Sequence, residues 1–229
     1  MPEPLVIAID GPAGAGKSTV AQKVAARLGL TYVDSGATYR AIALKVLQSA
    51  IAPEDEPTVA RLIAQTDIRI TTEGLQSRVL MDGEDVTEKI RTPEVTLAAA
   101  KVSRLSQVRA KLVAIQRSCA TGRGVVMEGR DIGTVVFPNA ALKVFILADP
   151  EERARRRLNQ ERKEGRSATL EQTADEIARR DQLDAERKIS PLVAAADAYQ
   201  IDSTDLLADQ VVEQILDLAR KKKLVEPKR

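Results

Sequence analysis

The chain has 229 residues, a formal net charge of +2 and 44% apolar residues, enough for one globular unit with a sizeable core. Histidine is absent and Cys119 is the only cysteine, which excludes a Ser-His-Asp triad, a cysteine-based zinc centre and an intramolecular disulfide. Aromatic residues make up only 2%, so the core must be built from Ala, Val, Leu and Ile, and any catalysis must run on carboxylates, Lys, Arg, backbone amides and a metal ion.

The first residues carry no basic segment ahead of an apolar run, and no run approaches the roughly 18 apolar residues of a membrane span. A cytoplasmic protein with no membrane part is expected. Residues 5–9 are a β-branched run ending at Asp10 and a glycine-rich turn, which predicts a buried strand. Helical periodicity over 18–28 (Val20, Val24, Ala25, Leu28) stops at Gly29, a C-cap. A second strand is expected at 30–33, a helix at 36–47 and an acidic loop at 53–57. Residues 68–72 and 77–81 read as short strands of a small antiparallel insertion, followed by the tight-turn pair Asp82-Gly83.

Residues 93–119 are helical, as one helix or two. The apolar runs 124–127 and 142–147 are of the kind a parallel sheet buries on both faces. Asp149-Pro150 opens a highly charged helix to about 163, broken at Gly165. Thr169 with Gln172 fits a capping box for a helix to about 188. A last strand falls at 200–201 and a terminal helix at 208–223. Its basic end suits the helix dipole better than a nucleic acid, and no interleaved aromatics point to one. Strands alternating with helices indicate an α/β fold with a mostly parallel sheet.

Gly11-Pro12-Ala13-Gly14-Ala15-Gly16-Lys17-Ser18 matches G-x-x-x-x-G-K-[ST] between a strand and a helix, the context this phosphate-binding loop demands. Small residues let backbone N–H groups curl round a phosphate, and the helix N-terminus adds partial positive charge. Lys17, expected to face solvent in this cradle, supplies a cation for the β- and γ-phosphates, and the Ser18 hydroxyl is placed to ligate Mg²⁺. With Thr19, these residues form the candidate ATP site. No N-K-x-D motif supports a GTPase. The strand of a mechanical ATPase has its nearest match in 125–128, which ends in Glu128 and runs into Gly129-Arg130-Asp131.

Arginine and acid clusters follow the strands. Asp34, Ser35 and Arg40 could meet metal-bound water, ribose and phosphate, or could cap the next helix. Arg130 and Asp131 lie between two glycines, at a ligand or in a salt-bridged turn. Arg180, Asp184 and Arg187 share one helix face. Asp181 falls on the apolar stripe with Ile177 and Ala178, where it needs a buried cationic partner. Residues 151–166 carry Arg153, Arg155, Arg156, Arg157, Arg162 and Arg166, a mobile lid or a solvated helix.

With these pieces in order, the sequence resembles the bacterial cytidylate kinase family of P-loop nucleoside monophosphate kinases. IAIDGPAGAGKST, YVDSGATYRAIAL, DGEDVTEKIRTPEV, EGRDIGTVVFP and RRDQLDAERKISPLVAAADA carry the resemblance. It implies a three-layer α/β domain over 1–229 with a five-stranded parallel sheet, an acceptor-binding insertion at about 37–92 and an Arg-rich lid at about 151–168. It further implies that ATP, with Mg²⁺, phosphorylates CMP or dCMP. Arg109 and Asp131 would read the cytosine, Arg40, Arg130 and Arg187 would hold the acceptor phosphate, and Ser35, Arg180 and Asp184 would lie near the ribose. Arg153 and Arg157 would approach the transferring group beside Lys17. Ala100 stands where the family pattern has a serine, and Ser103, one turn on, is the candidate substitute. A monomer is expected.

Overall fold

A computed structural model describes residues 4–225 other than 74, 75, 123, 164 and 188. The first half of the chain forms β1 (Leu5–Asp10), α1 (Lys17–Leu28), β2 (Thr31–Asp34), α2 (Ser35–Gln48), α3 (Glu56–Gln65), β3 (Ile68–Glu73), β4 (Gln76–Met81) and β5 (Glu84–Asp85). Helices α4 (Pro93–Val102) and α5 (Ser106–Ser118) lead into β6 (Gly124–Gly129), β7 (Leu142–Leu147), α6 (Pro150–Lys163), α7 (Leu170–Ala185), β8 (Tyr199–Asp202) and α8 (Ala208–Lys221).

The main sheet has five parallel strands in the order β2-β6-β1-β7-β8. Every residue of β6 is buried, Glu128 included, because a central parallel strand is covered on both faces and is therefore mostly apolar. One face packs Ile7, Ile9, Val126, Val144 and Ile146 against α1 and α8 through Val20, Val24, Val212 and Ile215. The other packs Val6, Ala8, Val125 and Met127 against Val113 of α5 and the turn after β6. The near-absence of aromatics is met by small branched side chains interdigitating between thin layers.

A second, antiparallel sheet, β3-β4-β5, stands apart from the first. Its last hairpin turns at Asp82 and Gly83, with φ of 52° and 86°, the left-handed pair that such a two-residue turn requires. This small sheet shares a separate core with α2, α3, α4 and α5, including Ile42, Ile63, Val79, Val95 and Leu112.

Two expectations change, and one left open as one helix or two is resolved. The acidic stretch at 53–57 is not all loop, since α3 starts at Glu56, with Asp55 as N-cap accepting from the Thr58 N–H at 3.2 Å. Its signal was the capping Asp, Pro57 in the first turn and Val59 with Ile63 spaced to bury one face. The stretch at 93–119 is two helices, broken at residues 103–105. Helix α7 ends at Ala185, short of 188, while its capping box forms in full through Thr169 and Gln172.

Candidate active site

The register of the parallel sheet brings the carboxyl ends of three strands side by side. Asp10 of β1 lies opposite Gly129, and Asp34 of β2 lies opposite Glu128 of β6. Such an edge is where open α/β sheets bind ligands. A cleft of about 1770 Å³ opens there, larger than the ~300–1,000 Å³ of a site for one small molecule, so it has room for two.

The glycine-rich loop forms one wall and delivers α1, which begins at Lys17. Gly14 sits at φ 75°, and a Cβ there would come within 2.8 Å of the Arg153 carbonyl oxygen, so the loop is pressed against α6. Ala13 to Thr19 line the cleft, whereas Gly11 and Pro12 stand behind it. Lys17 does not face solvent as expected. It is only 6% exposed, and its Nζ donates to the Pro12 carbonyl at 2.7 Å. Burial, reinforced by Arg130 and Arg180, lowers its pKa to about 7, with Glu128 pulling the other way.

Two buried carboxylates face this lysine. Asp10 accepts the N–H groups of Ile132 and Gly133, each at 2.8 Å, and burial raises its pKa to about 6 against those two bonds. It thereby pins the wide helical turn Ile132–Val136, closed by the Phe137 N–H on the Ile132 carbonyl at 2.7 Å. Glu128 accepts from the Tyr32 hydroxyl at 2.7 Å, and burial next to Asp34 raises its pKa, with the Ser18 and Tyr32 hydroxyls opposing. Sequence reading had seen Asp10 and Glu128 only as strand ends. Their partners lie about a hundred residues away, and no local pattern marks them.

Opposite the loop, Arg109 and Asp131 form a buried ion pair, 3% and 5% exposed, with the Arg109 guanidinium 5.6 Å from the Tyr39 ring centroid. Asp131 lines the cleft, beside Ala100 and Ser103, whereas Arg109 stands behind it and does not line the cleft. The Ser103 hydroxyl donates to the Ala100 carbonyl at 2.8 Å, so its proton is directed into its own helix. A Cβ on Gly129 would meet Ser35 Oγ at 2.5 Å, which is why glycine stands where that hydroxyl donates to the Glu128 carbonyl at 2.7 Å.

A cationic cluster occupies the floor. Arg130 donates from Nε to Asp184 at 2.8 Å, and Arg187 pairs with the other oxygen of the same carboxylate. Burial works against the Asp184 charge, yet Arg130 and Arg187 hold its pKa below the usual carboxylate value. Asp34 is treated likewise by Arg40, its partner across the first turn of α2. Arg180 makes no hydrogen bond among the described residues, and desolvation beside Arg130 lowers its pKa to about 10. With Arg40, Arg157 and Lys17 around them, these groups lack enough negative charge, which is the condition of a polyanion site.

The resemblance sends Arg153 and Arg157 toward the same point, and the fold separates them. Arg157 lines the cleft and pairs with Glu161 at 3.0 Å. Arg153 does not line it. It is buried, donating to the Ala13 carbonyl at 3.0 Å and the Ala148 carbonyl at 3.2 Å, and paired with Asp181. Asp181 thus has the buried cationic partner its position demanded. Arg156 lines the cleft and is tied to Ser203 and the Thr204 carbonyl. The start of α6 is therefore anchored, with Ala154 fully buried, and Leu158 and Glu161 are buried further along the helix.

A parallel sheet with this loop at its edge, a cleft for two ligands and an arginine-rich floor defines a kinase-type P-loop fold. A gluconokinase from Sinorhizobium meliloti 1021 is similar in fold alone, with a TM-score of 0.50 and 13% identity over 97% of this chain and 96% of that one. Residues 7–221 match the family described as Cytidylate kinase. The cytidylate kinase of Caldicellulosiruptor bescii is 48% identical over 93% of this chain and 94% of its own. That of Caldanaerobacter subterraneus subsp. tengcongensis is 50% identical, covering 94% of each. The chain belongs to the cytidylate kinase family.

Proposed function

We propose that the protein transfers the γ-phosphoryl group of ATP to CMP or dCMP, giving CDP or dCDP and ADP. The observation that carries this reading is Asp131 at the cleft wall, backed by its buried ion pair with Arg109 and facing the phosphate loop across a floor of arginines. A cytosine placed there offers its N4 amine to Asp131 and its O2 and N3 edge to Arg109. Arg40, Arg130 and Arg187 take the acceptor phosphate, with Ser35, Arg180 and Asp184 near the ribose. The β3-β5 insertion with its helices closes that side of the cleft.

Phosphoryl transfer requires mainly positioning and positive charge around the equatorial oxygens. Lys17 leaves the Pro12 carbonyl for the β- and γ-phosphates, Arg157 approaches from the lid, and Arg153 holds the loop in shape. Ser18, exposed at the head of α1, and Glu128 behind it offer the hard oxygen donors that suit Mg²⁺, which brings further neutralising charge when bound with ATP. A monomeric, cytoplasmic enzyme goes with this reading. Among the described residues, no helix is long and apolar enough to cross a membrane.

Coupled ADP release measured across CMP, dCMP, UMP, AMP and shikimate tests the proposal. Turnover with CMP and dCMP well above the rest is expected, and equal or greater use of another acceptor would overturn it. Nucleotide binding without turnover of any acceptor would leave a binding protein instead.

The Lys17 pKa adds a pH dependence. The free lysine loses its proton near pH 7, but it must be charged against the phosphates. ATP binding above that pH therefore takes up a proton, and affinity falls as pH rises. Between about pH 7.5 and 9, above the titration of the terminal phosphate near 6, a loss approaching tenfold per unit is expected. Lys17→Arg, which stays charged, should flatten the slope. Calorimetry in buffers of different ionisation enthalpy reads the proton directly, and no uptake at about pH 8 would show the lysine already charged.

A further inference from the structure

We propose that Asp181 is a positioning residue that couples the acceptor side of the cleft to the phosphate loop. The inference deepens the two-nucleotide reading above and rests on it. Helix α7 touches both substrate regions within a single turn. Asp184 faces the acceptor floor, where it binds Arg130 and Arg187. Asp181, three residues earlier, faces the loop, and its Oδ1 accepts the Ala13 N–H at 3.2 Å.

The other oxygen of Asp181 pairs with Arg153, whose Nη1 also reaches the Ala13 carbonyl at 3.0 Å. A single loop residue, Ala13, is thus gripped at its N–H and its C=O, on two successive peptides, by a pair drawn from two helices. Packing reinforces the grip, since Ala13, Ala154 and Ile177 form a small buried cluster of their own, with Ala174 against it. Because Arg153 also contacts the Gly14 region through its backbone, the loop cannot move independently of α6 and α7.

An acceptor phosphate entering among Arg130, Arg180 and Arg187 competes with Asp184 for the same guanidinium groups. That competition resets α7 at its acceptor end. A helix is stiff over one turn, so the shift reaches Asp181 and, through it, the Ala13 peptide that leads into the cradle. Asp181 itself does not line the cleft, so it acts only through the loop. Thermodynamic linkage makes the effect mutual: each nucleotide must tighten the other by the same factor.

The test is calorimetric binding of a non-hydrolysable ATP analogue with Mg²⁺, and of CMP, each alone and in the presence of the other. In the wild type the analogue should bind about fivefold or more tightly when CMP is saturating, the lower end of typical coupling. Asp181→Ala removes both contacts, and its ratio should fall to within about twofold of unity while CMP alone binds within about threefold of wild type. Asp181→Asn keeps an acceptor for the Ala13 N–H but loses the ion pair, and an intermediate ratio is expected. Should the alanine variant fail to fold, Asp181→Asn and Arg153→Lys carry the same measurement. A merely structural clamp would lower stability or both affinities and leave the ratio untouched, which overturns the proposal. Binding of both nucleotides to the wild type without coupling overturns it too. Failure of the wild type to bind either nucleotide would sink the two-nucleotide reading and the coupling with it.

Discussion

Lys17→Ala is expected to lower kcat by on the order of 10²-fold or more, the loss typical of removing a key electrostatic donor. The melting temperature should change by no more than a few degrees. The reason differs from the one that an exposed lysine would give. Lys17 is buried and held on the Pro12 carbonyl, so its charge is already penalised by desolvation and by Arg130 and Arg180. Removing it relieves that penalty while losing one backbone contact, and the two changes offset each other. Because the ammonium must swing from carbonyl to phosphate, the defect should appear in kcat more than in the KM for the acceptor. Thermal melting beside steady-state kinetics checks both parts. Near-normal kcat in a folded variant would remove Lys17 from the mechanism.

Asp131→Ala should narrow the preference for CMP over UMP by several powers of ten in the ratio of kcat/KM. A buried carboxylate accepts from the N4 amine of cytosine, but it faces the carbonyl of uracil repulsively. Sites that leave buried polar groups unpaired against the wrong base discriminate at about 10⁴-fold or more. Among the described residues the Asp131 side chain is engaged only through Oδ2, by Arg109, so Oδ1 remains for a base. The substitution also strands Arg109, 3% exposed, at a cost of about 3–5 kcal/mol, so some of the protein will be unfolded. A ratio of two substrates on one preparation cancels the active fraction and is therefore the quantity to measure. Asp131→Asn keeps the volume and offers an N–H to the uracil carbonyl, so it should raise the relative use of UMP. Equal losses for both substrates in both variants would mean that Asp131 supports the architecture without reading the base.

What could be read from the sequence was whatever short-range chemistry determines. The phosphate loop is a run of small residues between a strand and a helix, and its conformation depends on its own neighbours. The Thr169–Gln172 capping box and the Asp82-Gly83 turn are local in the same sense, and both form. The mostly apolar runs of β6 and β7, with Glu128 and Lys143 their only charged residues, announced a parallel sheet because a strand covered on both faces has little polar side to show. Helix α3 was legible but masked, since an acidic N-terminal turn with proline resembles a loop until the Val59–Ile63 spacing is weighed.

Only the tertiary structure decided which groups meet. Asp10 and the N–H groups of Ile132 and Gly133 are brought together by the register of β1 against β6, which no pattern within either strand encodes. Glu128 finds Tyr32 because β2 pairs with β6 rather than with β1, its predecessor in the chain. Arg153 and Arg157 are four residues apart and look interchangeable in sequence. One is drawn under the phosphate loop by Ala13 and Asp181, and the other is left facing the cleft. A cation's role depends on the acceptor within reach of its flexible side chain, and that acceptor comes from elements far along the chain. For the same reason the burial of Lys17 escaped the motif that identified it, because desolvation belongs to the assembled site and not to any one segment.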